Sequence, residues 1–322
     1  MFSISLPRFE PHPLLLSGHL QTVVGNSVGR EPPRHGLVQH RVALDDGDTL
    51  ILHDDAPDAP PAQRIALLIH GLGGCHASGY VQRLSTKLLA HQIHPIRMDQ
   101  RGCGLGEPFA RHMAHAGRAA DVAHCLRWLA EKFPGVPVTA CGFSLGASVL
   151  LKALTNEACG ESIDSAIAVS PPYDLADCCA RIPWFYDRYY AKQLWQFWQS
   201  SRTRLRGADA LQVSGPTRSI LEFDRRITAP LNGYASVEAY YASASAGQDL
   251  HRLEVPTVVL LAEDDPIVPC DRFAQASLPS CLALVQTRRG GHLGFLSRAR
   301  GAGEHDRRWL EWRVVDWIRQ LT

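Results

Sequence analysis

No stretch of this 322-residue chain is apolar for long enough to span a membrane. Nothing at its N-terminus joins a basic segment to an apolar run and a small-residue cleavage site, so the expected location is the cytoplasm. Charge of one sign is missing too. With 33 Lys and Arg against 32 Asp and Glu, the formal charge is +1, which offers neither nucleic acid nor an anionic membrane a basic surface. The nine cysteines are odd in number, and apart from the adjacent Cys178-Cys179 they lie singly with no CxxC unit. That argues against a disulfide framework and a structural zinc site, and for buried free thiols in a reducing compartment. There is no GxxxxGK[ST], and the glycines are not spaced GxGxxG, so phosphate or dinucleotide cradling has little support. What remains is an ordinary globular composition, 45% hydrophobic and 20% charged. The chain is long enough for one large α/β domain with an insertion, or for two domains.

The most informative stretch runs from Val136 to Leu151, VPVTACGFSLGASVLL. Val136, Val138 and Ala140 alternate as in a short buried strand. Gly142-Phe143-Ser144-Leu145-Gly146 interrupts them, and an apolar helical run follows at once. Strand, sharp turn and helix are what a serine nucleophile needs at the tip of a strained turn, because side chains two residues before and after would collide with the neighbouring strand. The same reversal aims the first N–H groups of the helix, Leu145 foremost, at the place where negative charge would develop. A chance GxSxG is common by itself; the flanking strand and helix favour a nucleophile elbow.

Around this element the pattern is strand, helix, strand, helix, which implies a mostly parallel sheet with helices on both faces. Val38–Leu44 and Thr49–His53 flank Asp45-Asp46-Gly47-Asp48 as a hairpin, and the Pro-rich segment Asp54–Gln63 reads as a surface loop. Residues Phe2–Asn26 lack clean periodicity and either pack along the core edge or reach toward the site; His19 there reads as structural. Ile65–Ile69 is a buried strand ending in His70-Gly71-Leu72-Gly73-Gly74, where the Leu72 N–H is the candidate second oxyanion donor. Helical patterns follow at Ser78–His91 and Gly117–Lys132, with a strand at Ile93–Met98 between them; Asp99 and Arg101 are expected to pair and brace their loop. After a strand at Ile163–Ser170 the texture changes. Residues 171–250, dense in aromatics from Trp184 to Trp198, read as a helical lid inserted between an N-terminal core part, 1–170, and a C-terminal part, 251–322. Those rings either exclude water over an acyl site or form the insertion's own core. Strands resume at Val255–Leu261 and Cys281–Gln286, and Arg307–Leu321 closes the chain as a helix.

A serine hydroxyl needs a base, and the base needs an orienting group. The two late strands end in Glu263-Asp264-Asp265-Pro266 and Gly290-Gly291-His292-Leu293-Gly294, giving the chain order Ser, Asp, His of the hydrolase elbow fold. Ser144 is therefore the expected nucleophile, His292 the base and Asp265 its orienter. Asp264 is the rival for that last role, since adjacent extended residues point opposite ways. The glycines beside His292 leave room for a mobile loop.

These motifs give the chain a resemblance to the YheT-like, or AB hydrolase-4, family of α/β-hydrolases, with plant EMB8-like and animal ABHD1- and ABHD3-like relatives. Ser17-Gly18-His19-Leu20-Gln21-Thr22, Met98-Asp99-Gln100-Arg101-Gly102-Cys103-Gly104, Glu222-Phe223-Asp224 and Thr228-Ala229-Pro230 add to the match, which covers nearly the whole chain. Ala147 stands where relatives often have a second glycine. The resemblance implies a triad of Ser144, Asp265 and His292, with Leu72 and Leu145 as oxyanion donors. It implies hydrolysis of apolar short- to medium-chain acyl esters or lipid-like substrates through an acyl-enzyme, without metal or organic cofactor. An acyltransferase or thioesterase would use the same triad, and a binding protein that retained the fold would need none of it.

Overall fold

The computed structural model describes residues 4, 7–28, 35–57, 63–155 and 162–321; part of the Pro-rich segment 54–63 lies outside them. The hairpin expected near the start is there as β1 (Val38–Ala43) and β2 (Thr49–Asp54), paired antiparallel across a turn at Gly47. The α/β alternation then gives β3 (Ile65–Ile69), β4 (His94–Asp99), β5 (Val138–Phe143), β6 (Ser165–Val169), β7 (Thr257–Ala262) and β8 (Leu282–Thr287). The order across the single eight-stranded sheet is β1-β2-β4-β3-β5-β6-β7-β8. The hairpin joins β4 antiparallel, and every pair from β4 to β8 is parallel.

The helices are α1 (Gly18–Ser27), α2 (Gly79–Ala90), α3 (Ala119–Lys132), α4 (Leu145–Leu154), α5 (Leu175–Arg181), α6 (Trp184–Ser201), α7 (Ile220–Phe223), α8 (Ala229–Leu231), α9 (Val237–Ala244), α10 (Asp271–Gln275) and α11 (Trp309–Gln320). On one face of the sheet Val122, Leu126 and Leu129 of α3 and Leu150 of α4 pack against Leu67 and Ile69. On the other, Val81 and Leu84 of α2 and Val314 and Trp317 of α11 pack against Leu68 and Val258. Covered on both faces, β5 is buried at every position, so it continues through Gly142 and Phe143 where alternation suggested that it had ended. None of the described helices is long and apolar enough to cross a membrane.

Between β6 and β7 the chain forms only helices, α5 to α9, with a π-helical turn at Asp224–Thr228. Of its aromatic residues, Trp198 and Phe223 pack in a small core of the segment itself, while Tyr190 lines a cavity beside Ser144.

Asp99 and Arg101 do not pair with each other. Asp99, the last residue of β4, accepts hydrogen bonds from His53 Nε2 at 3.0 Å and from the His76 backbone N–H at 2.7 Å. Arg101 instead forks onto Asp121 at 2.7 and 2.9 Å and reaches Asp46 and Asp48, each at 2.7 Å. A guanidinium gains more from three carboxylates around its five donors than from one close neighbour in sequence. The result ties the β1–β2 turn and α3 to the end of β4. Arg101→Ala removes the counter-charge of the buried Asp48 and Asp121 as well as that of the exposed Asp46. The expected loss is about 3–5 kcal/mol of unfolding free energy, read from denaturant midpoints.

Candidate active site

Ser144 sits between β5 and α4 with φ +54° and ψ −123°, a conformation that non-glycine residues rarely hold. Its N–H donates to the Val169 carbonyl at 2.8 Å, which anchors the turn to β6. Two close approaches explain the flanking glycines. A Cβ on Gly146 would lie 2.2 Å from the His70 carbonyl oxygen, and one on Gly142 would lie 2.6 Å from Ala147 Cα. The Ala147 methyl, by contrast, is accommodated in the core beneath the turn.

The three residues named from sequence order meet here. His292 Nε2 lies 2.9 Å from Ser144 Oγ, and His292 Nδ1 lies 2.9 Å from Asp265 Oδ2. The His292 and Asp265 side chains are 4% and 2% exposed, so the pair is shielded from water. Asp265 is fixed through its other oxygen, which accepts the N–H groups of Ile267 at 2.9 Å and Val268 at 3.0 Å. With a carboxylate as its acceptor, Nδ1 carries the ring proton and Nε2 turns its lone pair to the serine hydroxyl. Asp264 faces elsewhere. One of its oxygens accepts the Gly291 N–H at 2.9 Å, the other is buried without a partner, and burial pushes its carboxyl up.

Leu72 and Leu145 flank Ser144, and neither backbone N–H has an acceptor among the described residues. The turn that carries Leu72 is held by side chains. His70 Nδ1–H donates to the Gly71 carbonyl at 2.8 Å, and the Gly71 N–H donates to the Tyr80 hydroxyl at 3.0 Å. Burial pushes the Tyr80 phenol far above its ordinary value, so it stays neutral.

The largest contribution that sequence reading missed comes from α1. Its buried face is Gly18, Gln21, Thr22 and Gly25, while Leu20 and Val23 are 47% and 54% exposed. The helix turns its small and polar side inward because it lies directly on the His292 loop. Gly25 packs on Gly294, and a Cβ on Gly291 would fall 2.3 Å from the Gly18 carbonyl oxygen. Thr22 Oγ1 accepts the His292 N–H at 2.8 Å while donating to the Gly18 carbonyl at 2.7 Å. Gln21 holds Leu296 from both sides, accepting its N–H at 2.7 Å and donating to its carbonyl at 3.1 Å. Gly291 and Gly294 beside His292 thus serve close packing of backbone on backbone. The signal was present as Gly18, Gln21, Thr22 and Gly25 at helical spacing, but apolar periodicity does not detect a stripe of small and polar residues. His19 is structural as expected: it stacks on Tyr186, with its Nδ1 3.3 Å from the tyrosine hydroxyl.

Metal-compatible spacing occurs at His35, His53 and His76. The His53 and His76 rings stack 3.5 Å apart at 12°, so their in-plane lone pairs run side by side and do not converge on one point. Both rings instead brace Asp99. Burial opposes its charge, but hydrogen bonds from His53 and His76 outweigh that and hold its carboxyl well below the usual range.

Two cavities meet at Ser144 and Leu72. One is a largely apolar cavity lined by Leu145, Leu175, Tyr190, Leu194 and Ile267; the other is a more polar cleft lined by Thr22, Tyr80, Gln193 and His292. The sequence profile of the alpha/beta hydrolase family matches residues 66–302. The chain belongs to that family. It is 32% identical to YheT of Escherichia coli strain K12 over 310 residues, covering 93% of this chain and 89% of that one. It is 28% identical to a monoacylglycerol lipase of Saccharomyces cerevisiae over 295 residues, covering 87% of this chain and 63% of that longer protein. Among solved structures it resembles the Pyrococcus furiosus esterase Pf2001 in fold, with a TM-score of 0.57 and 14% identity over 90% of this chain and 98% of that one. Its relatives by sequence and by fold thus include a lipase and an esterase.

Removing the α1 clamp tests its importance. Thr22→Val leaves the buried His292 N–H without an acceptor, at an expected stability cost of about 1–3 kcal/mol. Ser144 should react with a fluorophosphonate about 10–100-fold more slowly, as displacement of a catalytic group would produce. Melting curves and labelling rates on the same samples check both.

Proposed function

We propose that this hydrolase cleaves carboxylic esters of apolar acyl groups through an acyl-enzyme on Ser144. The observation that carries the reading is the continuous path from Asp265 through His292 to Ser144 Oγ, with both contacts at 2.9 Å, beside two N–H groups that lack acceptors among the described residues. His292 Nε2 takes the hydroxyl proton as Ser144 attacks the carbonyl, and Asp265 stabilises the imidazolium that forms. The Leu72 and Leu145 N–H groups receive the oxyanion. His292 then hands its proton to the departing alkoxide, and on deacylation it draws a proton from water.

His292 lines the more polar cleft and is absent from the walls of the apolar cavity. The alcohol must stand where His292 can protonate it, so it occupies the cleft and the acyl chain enters the apolar cavity. Apolar walls there favour hydrocarbon over charged acyl groups. We read the helical segment between β6 and β7 as the lid that excludes water from this cavity. The mechanism draws on no metal or organic cofactor, and nothing in it requires a membrane, consistent with a cytoplasmic enzyme.

The test begins with fluorophosphonate labelling of wild type, Ser144→Ala, His292→Ala and Asp265→Asn. Labelling is expected to vanish in Ser144→Ala. Ester turnover should fall by about 10⁴-fold or more in each of the other two. Folded wild-type protein that neither labels nor turns over any ester would sink the proposal. A second expectation concerns the acyl cavity: medium-chain esters should exceed esters of dicarboxylic acids of the same length in kcat/KM. Equal turnover of both would rule out an apolar acyl site.

A further inference from the structure

One group in the wall of the apolar cavity is not accounted for by hydrolysis of a plain acyl ester. Asp224 opens the π-helical turn Asp224–Thr228, and it lines this otherwise largely apolar space with Thr228 and Tyr241. The residue is 8% exposed. Its Oδ1 accepts from Thr228 Oγ1 at 2.6 Å and its Oδ2 from the Tyr241 hydroxyl at 2.8 Å. No cation pairs with it among the described residues. A carboxylate offers about four acceptor positions, so two are filled by these hydroxyls and two remain for a further donor. Burial pushes its carboxyl up to about 6, against the two hydroxyl hydrogen bonds. Tying the π-turn to α9 needs only an acceptor, and a neutral amide would serve without the cost of a buried charge.

The acyl chain is the part of the substrate that reaches this wall, because the alcohol faces His292 in the cleft. We propose that Asp224, oriented by Thr228 and Tyr241, is a specificity residue that accepts a hydrogen bond from a hydroxyl group on the acyl chain, making hydroxyacyl esters the preferred substrate class. This rests on the ester-hydrolase reading of Ser144. A hydroxyl is favoured over an ammonium because the remaining walls are largely apolar, and a neutral donor costs less to bring there.

The experiment compares p-nitrophenyl esters of plain acyl chains with esters of the same length in which a hydroxyl is walked along the chain. A matched amino-substituted series runs in parallel. Wild type is expected to show kcat/KM at least tenfold higher for one hydroxyl position than for the plain chain. In Asp224→Asn the ratio falls below threefold. Asp224→Glu, which keeps the acid and extends it by one methylene, moves the preferred hydroxyl position about one carbon toward the ester carbonyl, a shift that a merely structural acid would not produce. Melting curves establish that each variant is folded. If Asp224→Asn does not fold, the displacement in Asp224→Glu and the wild-type ratio decide the matter. A wild-type ratio of one or less at every position would overturn the proposal, as would an amino series that outperforms the hydroxyl series. Calorimetric binding of the free hydroxy acid and the plain acid to Ser144→Ala separates the two readings. If no ester is turned over yet the hydroxy acid binds more tightly, and only with Asp224 present, the ester reading fails and the subsite stands. Equal binding of the two acids removes the subsite whatever the turnover.

Discussion

His292 lies on a loop with no regular secondary structure, yet its Nε2 must stay within hydrogen-bond reach of a serine 148 positions earlier in the chain. The backbone of that loop is unusual. Leu293 and Phe295 have φ of +61° and +42°, and Gly291 has φ of +58°. A segment in such conformations persists only when its surroundings over-determine it. Here the surroundings are α1 on one side and Asp264, at the end of β7, on the other. Thr22 and Gln21 satisfy the loop's backbone, Asp264 accepts the Gly291 N–H, and Asp265 on the next residue holds the imidazole. The adjacent carboxylates divide the work because adjacent side chains leave the chain in different directions.

The same economy recurs at the other strand ends. The loops that border the site are held largely by buried charged and polar side chains. His70 and Tyr80 set the turn of Leu72, while His53 and His76 hold Asp99 at the end of β4. Arg101 gathers three carboxylates from the hairpin turn and α3. Loops cannot bury enough apolar surface to fix themselves, so charge-assisted hydrogen bonds take over that role. The π-turn at Asp224 belongs to this pattern in its bonding but not in its position, since it alone of these carboxylates lines the apolar cavity.

Much of the fold was legible in the amino-acid order. The run Ile65–Ile69, the elbow stretch and the apolar strand ending in Ala262 each announce a doubly covered parallel strand, and the heptad-like spacing in Ala119–Lys132 announces its helix. One reading failed for a plain physical reason. The pairing of Asp99 with Arg101 was judged from neighbours in sequence, whereas long-range partners decide where buried charges settle. Helix α1 escaped a reading based on apolar periodicity because its inward face is glycine, glutamine and threonine.

By itself the sequence determined the sheet, the covering helices, the strained turn at Ser144 and the order in which a serine, an aspartate and a histidine follow strand ends. Those follow from local preferences and apolar spacing, which act within a few residues. Only the tertiary structure decided which aspartate faces His292, what clamps the loop that carries it, where Arg101 finds its counter-charges and which residues of α5, α6 and α9 wall the cavity beside the serine. These outcomes depend on contacts between segments 270 residues and more apart. No local signal encodes them; they arise when the layers pack and each buried polar group must find a partner.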